Sequence, residues 1–207
     1  MHMLAELYHQ QGKYAQAEPL YTKTLEIQRR VLGEKHRDTL ATENALADLY
    51  DHEGKYRQAE ALFATVLEVQ RRLLGEEHAS TLDTMHNLAG LYQQEGRYAQ
   101  AEPLYTKVLQ VRQRVQGQEH PDTLRAMSGL TLVYLGESKY AQAEPLLIKV
   151  LEVRRRVLGR SIRARCLLWI IWHTCTSNKA SMRKASHCVP GLLRLSDGSW
   201  ARTTATL

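Results

Sequence analysis

Tyr8, Tyr50, Tyr92 and Tyr134 stand 42 residues apart, and Tyr14, Tyr56, Tyr98 and Tyr140 repeat the same spacing. Ala17, Ala59, Ala101 and Ala143 fall in register with them, each followed by a glutamate (Glu18, Glu60, Glu102, Glu144). Leu25, Leu67, Leu109 and Leu151 form a further column, and Gly33, Gly75, Gly117 and Gly159 another. A fixed period in this range means stacked supersecondary units, each burying its apolar face on the next, instead of one globular core.

Each unit reads as two helices. In the third, Leu82, Met85, Leu88, Ala89, Leu91 and Tyr92 follow the spacing of a helix buried on one side. Ser80, with Asp38 and Asp122 in its column, is positioned to cap that helix. Gly96 ends it, and Tyr98 opens the turn into a second helix carrying Ala101, Leu104, Tyr105, Val108, Leu109 and Val115 on its apolar side. Pro19, Pro103 and Pro145 are expected near the first turn of the second helix, where a missing N–H costs least. Gly117 is expected to close the helix as a left-handed residue. The glutamate column reads as first-turn acids favoured by the exposed N–H groups.

The columns Ala89, Tyr92, Gly96, Tyr98, Ala101 and Tyr105 resemble the tetratricopeptide repeat, a helix–turn–helix unit usually of about 34 residues. The extension ending in "VLGEKHRDTL" or "VQGQEHPDTL" is similar to the longer variant of kinesin light chains and related multi-repeat proteins. The resemblance covers Met1–Gly159. It implies an all-α fold, a right-handed α-α superhelix of antiparallel helix pairs, whose first helices line a concave groove that grips extended peptides. The light chains' N-terminal heptad segment has no counterpart here. Their "NLA" signature appears once, at Asn87-Leu88-Ala89, against Ala45-Leu46-Ala47 and Gly129-Leu130-Thr131 in the neighbouring units.

The chain thus divides into a repeat array, residues 1–159, and an aberrant basic tail, residues 160–207. The tail holds all three cysteines (Cys166, Cys175, Cys188) and all three tryptophans (Trp169, Trp172, Trp200) but no tyrosine. It carries eight Lys/Arg against one Asp, whereas the array carries 20 against 21 acidic residues, so the net charge of +6 belongs to the tail. Basic residues interleaved with aromatics suggest a nucleic-acid arm. Cys166, His173, Cys175, His187 and Cys188 suggest a metal site, but their spacing matches no common zinc pattern. "CLLWIIWHTC" is far too short to span a membrane.

A fifth repeat translated in the wrong frame fits the tail better. Joining each third codon base to the first two of the next codon allows "EHPGTLSALDNLAHLYIEQGKYAESEPL" from Arg160 onward, a well-formed unit. Two positions leave no codon choice. Trp172 followed by His173 must give Ala, in the column of Ala47 and Ala89, and Trp200 followed by Ala201 must give Gly, in the column of Gly159. On this reading the tail carries no evolved apolar periodicity and is expected to be disordered or poorly packed. The second helix of the fourth unit, around residues 148–158, then lacks its polar cap, and self-association through uncapped ends is expected. With the first unit entered partway, no secretory leader and no membrane span, the chain reads as a cytoplasmic piece of a longer array.

Within the array there is no Cys, no glycine-rich phosphate loop and no Ser/His/Asp arrangement with recognisable context. His36, His78 and His120 recur one per unit in "HRDT", "HAST" and "HPDT", too far apart to meet at one metal, and read as turn residues. No enzyme activity, cofactor or metal is expected. What remains is binding of a protein or peptide partner, with nucleic acid and membrane disfavoured. Given tetratricopeptide geometry, the groove-facing residues are Asn44, Asp48 and Asp51 in the second unit, Asp83, His86, Asn87, Gly90, Gln93 and Gln94 in the third, and Arg125 and Ser128 in the fourth. Amide and imidazole groups there suit the backbone of an extended peptide. The expected function is a non-catalytic interaction scaffold; the alternative is the sensor or regulatory repeat region of a larger signalling NTPase.

Overall fold

A computed structural model describes residues 1–157, 192–194 and 200–202. It divides into two compact units, Met1–Val150 and Leu151–Leu207. Eight helices run through the repeats: α1 (His2–Gln10), α2 (Tyr14–Leu32), α3 (Arg37–His52), α4 (Tyr56–Leu74), α5 (Ala79–Gln94), α6 (Tyr98–Gln116), α7 (Pro121–Gly136) and α8 (Tyr140–Val157). In the second unit, β1 (Leu192–Arg194) pairs antiparallel with β2 (Trp200–Arg202), Leu193 opposite Ala201. The tail's cysteines, its histidines and "CLLWIIWHTC" lie outside the described residues.

From α1 to α7 each helix packs antiparallel on the one before and the one after, the pattern of an α-α solenoid. The first helices α1, α3, α5 and α7 also touch one another in sequence, which makes theirs the inner row. The small residues do what their columns require. Ala17, Ala59 and Ala101 on the second helices, with Ala5, Ala47 and Ala89 on the first, are wholly buried where helix pairs close. Tyr21, Phe63 and Tyr105 fill the space between pairs.

The loop between units is built by its signature residues. His36, His78 and His120, not Ser80 and its column mates, are the N-caps: each Nδ1 accepts the N–H two residues on, from Asp38, Ser80 and Asp122, at 3.2 Å. One position later, the buried Thr39, Thr81 and Thr123 donate their hydroxyls back to the carbonyls of Gly33, Gly75 and Gly117 at 2.9 Å. Those glycines are not in the left-handed helical region. At φ near +90° and ψ of 162–168° they adopt an extended positive-φ form that essentially only glycine tolerates. "LGxxHxxT" is therefore one closed device that ends one unit and starts the next.

Three further expectations change. Pro19 and Pro103 lie six residues past the N-caps Lys13 and Arg97, in the second turn, so each removes one backbone bond on an exposed face. α4 has alanine there and keeps it. Val115 is 66% exposed; Val111 and the buried Arg112 take the inward side of α6 instead. The glutamate column also falls beyond the first turn, and its role is to join units. Glu60 accepts from the Tyr92 hydroxyl at 2.9 Å and from both terminal nitrogens of Arg97 at 2.8 Å, while that guanidinium stacks 4.3 Å from the Tyr92 ring centre. Glu18 holds Tyr50 and Lys55 in the same way, and Glu102 holds Lys139, itself above Tyr134. Arg97 is the first cause of the lowered Glu60 pKa.

Candidate functional site

The inner row of first helices carries two hollows. The first, about 740 Å³, is lined by His2, Glu6, His9 and Gln10 of α1, by Tyr14 and Tyr21 of α2, by Asn44, Asp48 and His52 of α3, and by Asn87 of α5. The second, about 610 Å³, is lined by Asp48, Asp83, His86, Asn87, Asp122 and Arg125. Asp48 and Asn87 belong to both, so the hollows meet and form one polar trough across α1, α3, α5 and α7.

Six of the expected residues converge there: Asn44, Asp48, Asp83, His86, Asn87 and Arg125. Asn44 Oδ1, His86 Nδ1 and the Tyr21 hydroxyl are buried without a hydrogen-bond partner among the described residues, so the trough wall keeps unspent polar groups. Asp83 is partly committed, because the buried Arg112 donates one terminal nitrogen to its carboxylate and the other to the Asp122 carbonyl. His86 packs edge-on against the Tyr105 ring at 5.1 Å. Burial first, then Arg125 and Arg112, push its pKa down to about 4, so the imidazole is neutral at pH 7. Burial likewise pushes the Tyr105 hydroxyl up to about 12.

The remaining expected residues do not join. Asp51 is buried and its Oδ2 accepts from the Gln94 amide at 3.0 Å, a tie between α3 and α5, while its Oδ1 is buried without a hydrogen-bond partner among the described residues. Burial raises the Asp51 pKa. Ser128 donates its hydroxyl to the Leu124 carbonyl of its own helix. Gln93 is half-buried and lines neither hollow. The fourth unit has Gly129 where Asn87 stands. A Cβ at Gly129 would lie 2.4 Å from the Tyr105 ring, which occupies the space a side chain would need.

The wall contributed by α1 was not among the expected residues. His9 sits 3.8 Å from the Asp48 carboxylate through Nε2, with its ring 5.1 Å from that of His52. Its pKa is lowered, chiefly by burial. The signal in sequence is the Asp48/His52 pair one helical turn apart, with His9 one unit earlier. Among the described residues no helix is long and apolar enough to cross a membrane.

Comparison with known proteins agrees with this architecture. The tetratricopeptide repeat family profile matches residues 1–72, 51–107 and 80–156. BtubC (BKLC) from P. vanneervenii superimposes with a TM-score of 0.68 at 26% identity, over 77% of this chain and 63% of that one. The nearly identical TPR-like repeats of a Podosopora anserina protein, provisionally assigned as a kinesin light chain, superimpose with a TM-score of 0.73 at 26% identity over 88% of both chains. A glutamine-to-methionine variant of that protein gives 0.74 at 25% identity over 90% of both. A nucleotide-binding leucine-rich repeat (NLR)-like protein of Hyaloscypha variabilis is 45% identical over 44 residues, which is 21% of this chain and 4% of that protein. The chain thus spans less than two thirds of BtubC and a small part of the fungal relative. With the profile matching from residue 1 to residue 156, the chain belongs to the tetratricopeptide repeat family, in its kinesin-light-chain-like form.

Proposed function

We propose that the array is a non-catalytic scaffold that binds an extended peptide segment of a partner protein along the trough of α1, α3, α5 and α7. The observation that carries this reading is the meeting of the two hollows at Asp48 and Asn87. An extended strand exposes a backbone donor and acceptor at every residue, and a wall of amide, imidazole and carboxylate groups can satisfy them in turn. Glu6, Asp48 and Asp122 against Arg125 make the lining acidic on balance. The peptide is therefore one with lysine or arginine beside uncharged residues, not an acidic cargo sequence. Asn44, Asp48, His86, Asn87 and Arg125 are the contact residues, while Asp51 and Gln94 hold the wall in place.

A random twelve-residue peptide display selected on the whole chain tests this. The expected enrichment is for basic, extended sequences whose affinity falls at least tenfold in Asn87→Ala and Asp48→Ala, with helicity unchanged. Enriched peptides that bind those variants as well as wild type would overturn the assignment. The NLR-like likeness is about one repeat long, so it supports shared repeats and leaves a sensor region of a larger NTPase as the second reading. Coding sequence for a phosphate loop upstream of the array would favour that second reading.

A further inference from the structure

We propose that His9, Asp48 and His52 form a binding site for a single divalent transition-metal ion of the zinc class, spanning the first two units. One ligand atom from each lies within 4.8 Å of the others. His9 Nε2 and His52 Nδ1 stand 3.8 and 3.9 Å from the same Asp48 oxygen. Ligands about 2.1 Å from a tetrahedral zinc lie about 3.4 Å apart, so closure requires shifts of about half an ångström toward Asp48 and of up to about 1.4 Å between the imidazoles. Side-chain rotations supply that. Two imidazoles and a carboxylate are the donor set that borderline cations such as zinc select over magnesium or calcium.

The arrangement is held from behind. The His9 ring packs edge-on to Tyr14 at 5.6 Å and Tyr21 at 6.4 Å, and Tyr14 also lies 6.0 Å from His52. His52 Nδ1 is also 2.8 Å from the Asp48 carbonyl oxygen, a contact it gives up on ligating the ion. The side chain of His9 is 12% exposed and that of His52 is 49% exposed, so the site is walled on one side and open to the trough on the other. That leaves coordination positions for water or for a donor group of a bound chain.

The repeat itself does not call for these residues. The column of His9 continues as Asp51, Gln93 and Leu135; that of Asp48 as Gly90 and Leu132; that of His52 as Gln94 and Gly136. All of those units close the same helix pairs without a metal-binding set, so packing does not explain why three donors meet once, at α1 and α3.

The test is zinc and nickel titration of the tag-free full chain by calorimetry, with His9→Gln, His52→Gln and the control His36→Gln. The expected result is one zinc equivalent lost, or weakened at least tenfold, in both site variants and retained in the control. Metal held by the tail's cysteines would survive all three substitutions and is separated by count. X-ray absorption of the zinc-loaded wild type should show imidazole scattering, a readout independent of variant stability. Equal stoichiometry and affinity in all four proteins, or magnesium competing as well as nickel, would overturn the proposal.

Discussion

Ser138 is the one non-glycine residue with positive φ among the described residues, at 60°. It occupies the position that Gly12, Gly54 and Gly96 hold in the other units at 71–75°. The turn it makes is the same. Lys139 N–H reaches the Tyr134 carbonyl at 2.7 Å and Ser138 N–H the Leu135 carbonyl at 3.1 Å; the third unit shows 2.8 and 3.1 Å for Arg97 to Tyr92 and Gly96 to Gln93. The fourth unit therefore adopts glycine's conformation with a Cβ present. A non-glycine residue in the left-handed region costs of order 1–3 kcal/mol. Glycine returns about 0.5–1 kcal/mol of that through its greater freedom in the unfolded chain. Ser138 is exposed, so no packing is lost on replacement. Ser138→Gly should thus stabilise the α7–α8 turn by about 1 kcal/mol. Gly96→Ser should destabilise the α5–α6 turn by a similar amount. Hydrogen exchange reads this unit by unit: the amides of Ser138 and Lys139 should slow about fivefold, as about 1 kcal/mol implies if they exchange by local opening. No slowing in Ser138→Gly, together with a costly Gly96→Ser, would refute the equivalence of the two turns.

Asp51→Asn should raise the melting temperature at pH 7. Burial lifts the Asp51 pKa, so the folded state holds that proton more tightly than the unfolded chain. Wild-type stability from this group is fullest below the ordinary aspartate range and declines as pH rises through the raised value; the gap between variant and wild type should close in acid. A gap independent of pH would sink the idea. Glu60→Gln acts with the opposite sign, since Arg97 lowers the Glu60 pKa. Its contribution is present at neutral pH and fades as pH falls through the lowered value. The pair is about a third exposed, so a Glu60→Gln/Arg97→Gln cycle in urea should give a coupling below about 1 kcal/mol, reduced by salt. For the tail, sequencing the coding DNA should reveal the repeat continuing in the shifted frame after codon 160, and a locus without it removes the frameshift reading.

Helix positions were legible because the period repeats every local cue, and because tyrosine, alanine and leucine recur at faces only a buried helix pair needs. The roles of the polar columns were less so, for a physical reason. Glu60 read within its own helix is an acid near an N-terminus; its partners Tyr92 and Arg97 are 32 and 37 residues away and act only once two units stack. The histidine caps were legible as turn residues but not as caps, since imidazole is outside the usual Ser/Thr/Asp/Asn set. In the trough, helix-face counting pointed to Asn44, Asp48, His86 and Asn87, which line the two hollows, but it could not foresee that Asp51 and Gln94 would bond each other. Nor could it foresee Tyr105 filling the place beside Gly129.

The array thus holds two kinds of column. Tyr8/Tyr50/Tyr92/Tyr134 and Glu18/Glu60/Glu102 keep their chemistry because every interface uses the same clamp. The trough columns change from Glu6 and Asp48 to Gly90 and Leu132, and from His9 to Leu135, since stacking leaves them free. If unit geometry alone builds the proposed metal site, its three residues should work one unit along. Asp51→His, Gly90→Asp and Gln94→His together place the same set between α3 and α5. Gly90 accepts a Cβ, which would lie 3.4 Å from the Tyr105 hydroxyl, ordinary contact with a group at the end of its ring. The Asp51–Gln94 bond is lost, so the metal-free triple variant should melt below wild type. It should then regain stability with zinc and bind one equivalent more than wild type. A folded triple variant with no added equivalent would mean that the Tyr21 backing of His9, for which the next unit has Phe63 while Tyr56 repeats Tyr14, rather than the spacing of the three donors, determines the original site.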